Sequence, residues 1–160
     1  MLASDLMSLR PGRLGAATLS IALLLSGCGL VSTTAPPATP FDYPGIASEL
    51  ARRGIVVDDI ASGDAGCPDT DLARTAIRFT AEGLDQVEPT PLYLYIFRNR
   101  DAFERRRADV DACLRSYVTD PETFGLIESS PFVLVGEGPW APDFAVELRR
   151  GLTTAAGTGG

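Results

Sequence analysis

Apolar and polar positions recur along the chain with two periods, and the switches between them mark out the elements. From Tyr43 to Gly54, Ile46, Ala47 and Leu50 share one helical face, and Gly54 supplies a left-handed stop. Ile55-Val56-Val57 then opens a strand that runs into the turn-rich Ser62-Gly63-Asp64-Ala65-Gly66. Thr75–Glu82 fits both periods. Leu72, Ala76 and Phe79 suit a helix, whereas Ile77, Phe79 and Ala81 alternate as in a strand. A helical turn over 69–75 followed by a strand is expected, with Pro89 and Pro91 making a loop before the next strand. Leu92–Phe97 is apolar and aromatic on both faces, which predicts a central strand.

Asp101–Val118 has the clearest helical pattern. Phe103, Val110, Leu114 and Tyr117 line one stripe with Cys113 beside it, Asp101 is the expected cap and Glu104 its capping-box partner. Asp120-Pro121 looks like the start of a short helix reaching Ile127. Phe132–Val135 is a further buried strand. A last helix starts near Pro142 and puts Phe144, Leu148 and Leu152 on one face, and the small-residue tail from Ala155 is expected to fray. This order predicts a single α+β (or α/β) domain over 45–156. Its expected form is a two-layer sandwich of three or four strands with helices packed on the sheet.

The first 44 residues follow other rules. Arg10 and Arg13 precede an uncharged, mostly apolar run from Leu14 to Leu25, followed by Leu25-Ser26-Gly27-Cys28. Twelve residues are too few for a helix to cross roughly 30 Å of hydrocarbon, but they suit the core of a secretory signal. Met1 or Met7 can serve as the start, Met7 giving the more usual signal length. Gly29–Pro44 holds four prolines, several threonines and a single charge, so it reads either as an extended tether or as a terminus with no spacing role.

Leu25-Ser26-Gly27-Cys28 resembles the lipobox of bacterial lipoproteins at all four positions. The resemblance implies a signal peptide over 1–27 and cleavage before Cys28. It further implies fatty acylation of Cys28, as by palmitate, and a Pro/Thr-rich tether over 28–44. The chain would then be held at the cell membrane, facing the extracytoplasmic side, with the acyl chains as its membrane partner. Each buried CH₂ contributes about 0.8 kcal/mol, so two or three chains anchor firmly where one does not. The domain as a whole resembles uncharacterised predicted lipoproteins of GC-rich bacteria.

Composition narrows the chemistry. The chain of 160 residues has fourteen arginines, no lysine and no histidine. Histidine-based triads, histidine-ligated zinc, P-loop lysines and Schiff bases are therefore out of reach. The net charge is −7, and −8 once residues 1–27 are gone, which argues against nucleic acid as a partner. Removing the leader leaves two cysteines in the domain. Cys67 and Cys113 are expected to form a disulfide if the domain is exported, and to be two buried thiols otherwise.

Four segments attract attention as sites. Arg98, Arg100, Arg106 and Arg107, with Arg105, form the one dense basic cluster, at a strand end beside a helix start. They can bind a carboxylate or phosphate, or serve as a solvated helix face paired with Asp101, Glu104, Asp109 and Asp111. Asp58, Asp59, Asp64, Asp69 and Asp71 crowd around Cys67, yet their spacing matches no calcium loop, and no metal or cofactor is expected. Gly136-Glu137-Gly138-Pro139-Trp140 follows a buried strand, where Trp140 either stacks on a ligand or covers the core. Ser129 and Ser130 have no base beside them in sequence and read as turn residues, and no catalytic residue is assigned. The expected function is therefore a membrane-anchored, non-enzymatic domain that binds an envelope protein, an envelope polymer or a small ligand. The alternative is an envelope hydrolase working with carboxylates and arginine alone.

Overall fold

The computed structural model of the chain describes residues 43–157 apart from 118 and 121. The signal region, Cys28 and the tether up to residue 42 lie outside the described residues. The elements are α1 (Tyr43–Arg52), β1 (Val56–Ser62), α2 (Thr70–Ala73), β2 (Ala76–Gly83) and β3 (Gln86–Ile96), then α3 (Arg100–Tyr117), β4 (Gly125–Ser129), β5 (Phe132–Gly136) and α4 (Pro142–Ala156). The strands form one antiparallel sheet in the order β1-β2-β3-β5-β4. The class is α+β, as expected, but with five strands among the described residues in place of three or four.

The pleat of β3 organises the rest. Leu92, Leu94 and Ile96 point to one face and join Ile77, Phe79 and Ala81 of β2, Ile127 of β4, and Phe132 and Leu134 of β5. Ile46 and Leu50 of α1 and Phe144, Leu148 and Leu152 of α4 cover that face. Tyr93, Tyr95 and Phe97 point the other way, with Ala76, Val133 and Val135, and there meet Leu72 of α2 and Val110, Cys113 and Leu114 of α3. Helices therefore lie on both faces, and the two-layer expectation is corrected. A strand apolar on both sides needs two covers.

Two further expectations change. Pro89 and Pro91 do not break the chain but lie within β3. Pairing with β5 begins only at Leu92, so this stretch of β3 has one ladder neighbour, and a missing N–H is tolerated on the open side. The segment ending at Ile127 is no helix. Asp120 accepts from the Glu122 N–H at 2.9 Å in a local turn, and Gly125–Ser129 pairs with β5 as the second edge strand. The cap of α3 is Asn99, whose side chain accepts from the Ala102 N–H at 2.9 Å, two residues before the expected Asp101. Ala155 and Ala156 still belong to α4.

Cys67 and Cys113 are bridged, with their Cα atoms 5.5 Å apart and a sequence separation of 46. Closing such a loop removes roughly 4 kcal/mol of unfolded-chain entropy in the chain-entropy account. The bridge ties α3 to the loop before α2. In the same pocket the Tyr95 hydroxyl donates to the Ala65 carbonyl at 2.8 Å. Gly66, at φ +73°, is walled by Tyr93 and Tyr117, whose rings are 4.9 Å apart.

On the opposite face, buried Glu49 of α1 pairs with Arg52 and Arg53, and Arg53 reaches on to Glu147 and Thr154 of α4. The start of α4 is held from outside its own sequence. Ala141 offers no capping side chain, but the Asp85 carboxylate, on the β2–β3 turn, accepts the Asp143 and Phe144 N–H groups at 2.9 Å each. Gln86 takes the Ala141 N–H at 3.1 Å. The Asp143 N–H bond is the main reason the Asp85 carboxyl lies below its ordinary value of 3.8; desolvation opposes it and the Phe144 bond adds to it. A lowered folded value means this contribution is complete above pH 3.8 and is lost as pH falls through the folded value. Asp85→Ala should lower the melting temperature by about a few degrees at pH 7, and the gap from the parent should close as melts move to pH 3. A gap of the same size at both pH values contradicts the cap.

Candidate functional site

The β4 edge, the turn before it and the start of α4 enclose a hollow of about 280 Å³. Phe124, Leu126, Pro139 and Trp140 supply its apolar walls, and Glu122 and Arg149 its charges. It arises from local geometry in three separate segments. The Asp120 turn delivers Phe124, and β4 presents Gly125–Ile127 at the outer edge of the sheet. Gly136, which ends β5, and Gly138 after it let the chain bring Trp140 back across β4.

Trp140 fits because nothing stands in its place. A Cβ on Gly125 would meet the indole ring at 2.4 Å, so the ring lies flat against the strand backbone. Its Nε1–H donates to the Glu137 carbonyl at 3.2 Å. Gly138 approaches the Thr123 carbonyl so closely that its own Cβ would stand 2.0 Å away, which locks the post-β5 loop to the pre-β4 turn. The indole is partly buried and packs against the α1/α4 core, while still lining the hollow. Both expectations for Trp140 thus meet in one side chain.

The basic cluster is divided among acids. Arg100 pairs with Glu104, Arg106 with Asp109 and Asp69, and Arg107 with Asp111 and Glu128. Arg98 and Arg105 are exposed and hold no carboxylate among the described residues. Glu104, Asp109 and Asp111 are partners expected from helical spacing, whereas Asp101 takes no part. Glu128 and Asp69 come from other elements, which spacing does not reveal. Three arginines of α3, Arg100, Arg106 and Arg107, therefore sit in local ion pairs and not in a convergent cradle.

Of the acids around Cys67, Asp64, Asp69 and Asp71 are likewise engaged. Asp64 accepts from the Gly66 N–H and from Arg78, and Asp69 caps α2 through the Asp71 and Leu72 N–H groups. Among the described residues no three acids or cysteines converge as a metal site. Ser129 ends β4, and Ser130 sits in the turn to β5. Beside the bridge, burial raises the Tyr95 hydroxyl to about 12 and pushes that of Tyr117 up as well, so both stay neutral at neutral pH.

No family model, no curated protein and no solved structure matches the chain. None of the described helices is long and apolar enough to cross a membrane.

The sequence does not single out Phe124 and Leu126, because 121–127 reads as helix, nor Arg149, whose place beside Trp140 depends on the tertiary fold. A signal was present. Leu126-Ile127 followed by Ser129-Ser130-Pro131 and a buried Phe132 has the form of a hairpin. Gly125→Ala should push the indole off the strand and cost about 1–3 kcal/mol in stability. Trp140 is the single tryptophan of the chain, so its emission should shift to the red in that variant. Unchanged emission together with an unchanged melting temperature contradicts the seating described here.

Proposed function

We propose that the chain is a bacterial lipoprotein, exported and held at the extracytoplasmic side of the cell membrane by acyl chains on Cys28. Its α+β domain acts as a binding module, not an enzyme, toward an envelope protein, an envelope polymer or a small ligand. The observation that carries the reading is cysteine stoichiometry. The domain's two cysteines are paired with each other, so Cys28 is left over at the lipobox position, available for thioether attachment. A bridge closing a long loop also suits an oxidising compartment outside the cytoplasm.

Charge agrees with a domain held off the bilayer. Twelve arginines against twenty acids give the mature chain a net −8, which an anionic membrane surface repels. Anchoring then rests on the acyl chains, and residues 28–42 supply the spacer, since Tyr43 and Pro44 belong to α1 and Tyr43 is buried in the core. At ~3 Å per residue in extended form they reach ~40–50 Å. For binding, the hollow beside Trp140 supports the reading, since it joins an aromatic wall to an exposed arginine.

Cys28→Ala should move the expressed protein from the membrane fraction to the soluble fraction, with the Cys67–Cys113 bridge intact. Fractionation identical to the parent overturns the lipid anchor.

A further inference from the structure

The two edges of the sheet are unlike. β1 carries a register shift between Asp58 and Ala61, with Asp59 at φ +49° and two adjacent carboxylates. A bulge and charges are the usual devices that stop another strand from pairing with an edge. β4 has neither a bulge nor a register shift. Its five residues pair with β5 one for one, from Gly125 opposite Gly136 to Ser129 opposite Phe132. Its one charge, Glu128, is drawn back to Arg107 of α3. Among the described residues β5 is the only strand beside it. Alternate N–H and C=O groups of β4 therefore face outward with no ladder partner.

Side-chain chemistry follows the same edge. The hollow runs along Gly125–Ile127, with Leu126 37 % exposed in its wall beside Phe124 and Trp140. Its volume suits one or two side chains of an extended segment. Most arginines of the domain have a carboxylate partner. Arg149 on this lining has none among the described residues, although its neighbour Arg150 pairs with Glu147. An unpaired guanidinium on an apolar hollow, in a strongly acidic protein, is complementary to a carboxylate brought by something else. Glu122 on the same lining disfavours a run of acids.

We propose that β4 and the hollow beside it take an extended peptide strand of a partner protein. Main-chain pairing along Gly125–Ser129 would hold the strand, an apolar side chain would sit against Trp140, and one acidic side chain would reach Arg149. This rests on the reading of the domain as a binding module and names the partner's chemistry.

Trp140 emission reports on the site, since it is the single tryptophan of the full chain. Octapeptide pools with Asp or Glu fixed at one position are titrated into the full-length protein beside pools with Lys or Arg fixed. The acidic pools should shift the emission saturably and bind about tenfold more tightly than the basic ones. Arg149→Glu, a surface substitution, should reverse that order. N-methylation of alternate backbone nitrogens in the best acidic peptide should abolish binding, as strand pairing requires. The proposal is overturned if no pool gives a saturable shift, or if acidic and basic pools bind alike. It is equally overturned if N-methylated peptides bind unchanged, or if the shift follows protein concentration without peptide, which would mean that copies of the chain pair with each other. Membrane fractionation of the parent protein in parallel separates the two failures. A negative titration with Cys28-dependent partitioning removes the peptide site alone, whereas loss of partitioning removes the anchor.

Discussion

A strand that is apolar on both faces has to be covered twice, and most of this molecule follows from that constraint on β3. Leu92, Leu94 and Ile96 demand one cover and Tyr93, Tyr95 and Phe97 another. At about 25 cal/mol per Å² of apolar surface, leaving either set in water would remove a large part of the domain's stability. The chain meets the demand from its ends and its middle. The first and last described helices, α1 and α4, close one face, clasped by Glu49, Arg53 and Glu147. The long crossover helix α3 closes the other, and the bridge from Cys113 to Cys67 pins it to the loop before α2.

That arrangement decides where a binding site is available. Both broad faces are committed to helices, so the sheet edges and the loops around them remain. β1 is closed by its bulge and acids. β4, reached only after α3 has crossed the sheet, is short, regular and flanked by the Asp120 turn and the returning Trp140. The close approaches at Gly125 and Gly138 are what allow indole and loop to lie against strand and turn. Residues that read in the sequence as a short helix and a glycine-rich loop therefore build a corner where, among the described residues, apolar wall, free backbone and unpaired cation coincide.

Much of the fold was legible where a single face decides the pattern. Ile46 and Leu50, Val110 and Leu114, and Phe144, Leu148 and Leu152 declare their helices by spacing alone, and each is buried. The central place of Leu92–Phe97 was legible from its two apolar faces. The same fact already implied helices on both sides, which a two-layer sandwich overlooks. The misreadings have local causes. Asp120-Pro121 carries a genuine cap signal that ends in a turn, because Leu126 and Ile127 gain more from pairing with β5. Pro89 and Pro91 signal a break, yet a strand with one ladder neighbour tolerates them. The partners of Arg107 and the seat of Trp140 were not legible, since Glu128 and Gly125 lie distant in sequence from the residues they touch.

Anchoring is the claim on which the account of function turns, and it concerns one atom, the sulfur of Cys28. Mass spectrometry of the N-terminal peptide of protein isolated from its native membrane reads that atom directly. The account predicts a mature chain beginning at Cys28, its sulfur carrying a diacylglyceryl group. A peptide running unbroken through Gly27-Cys28 with a free thiol would contradict it.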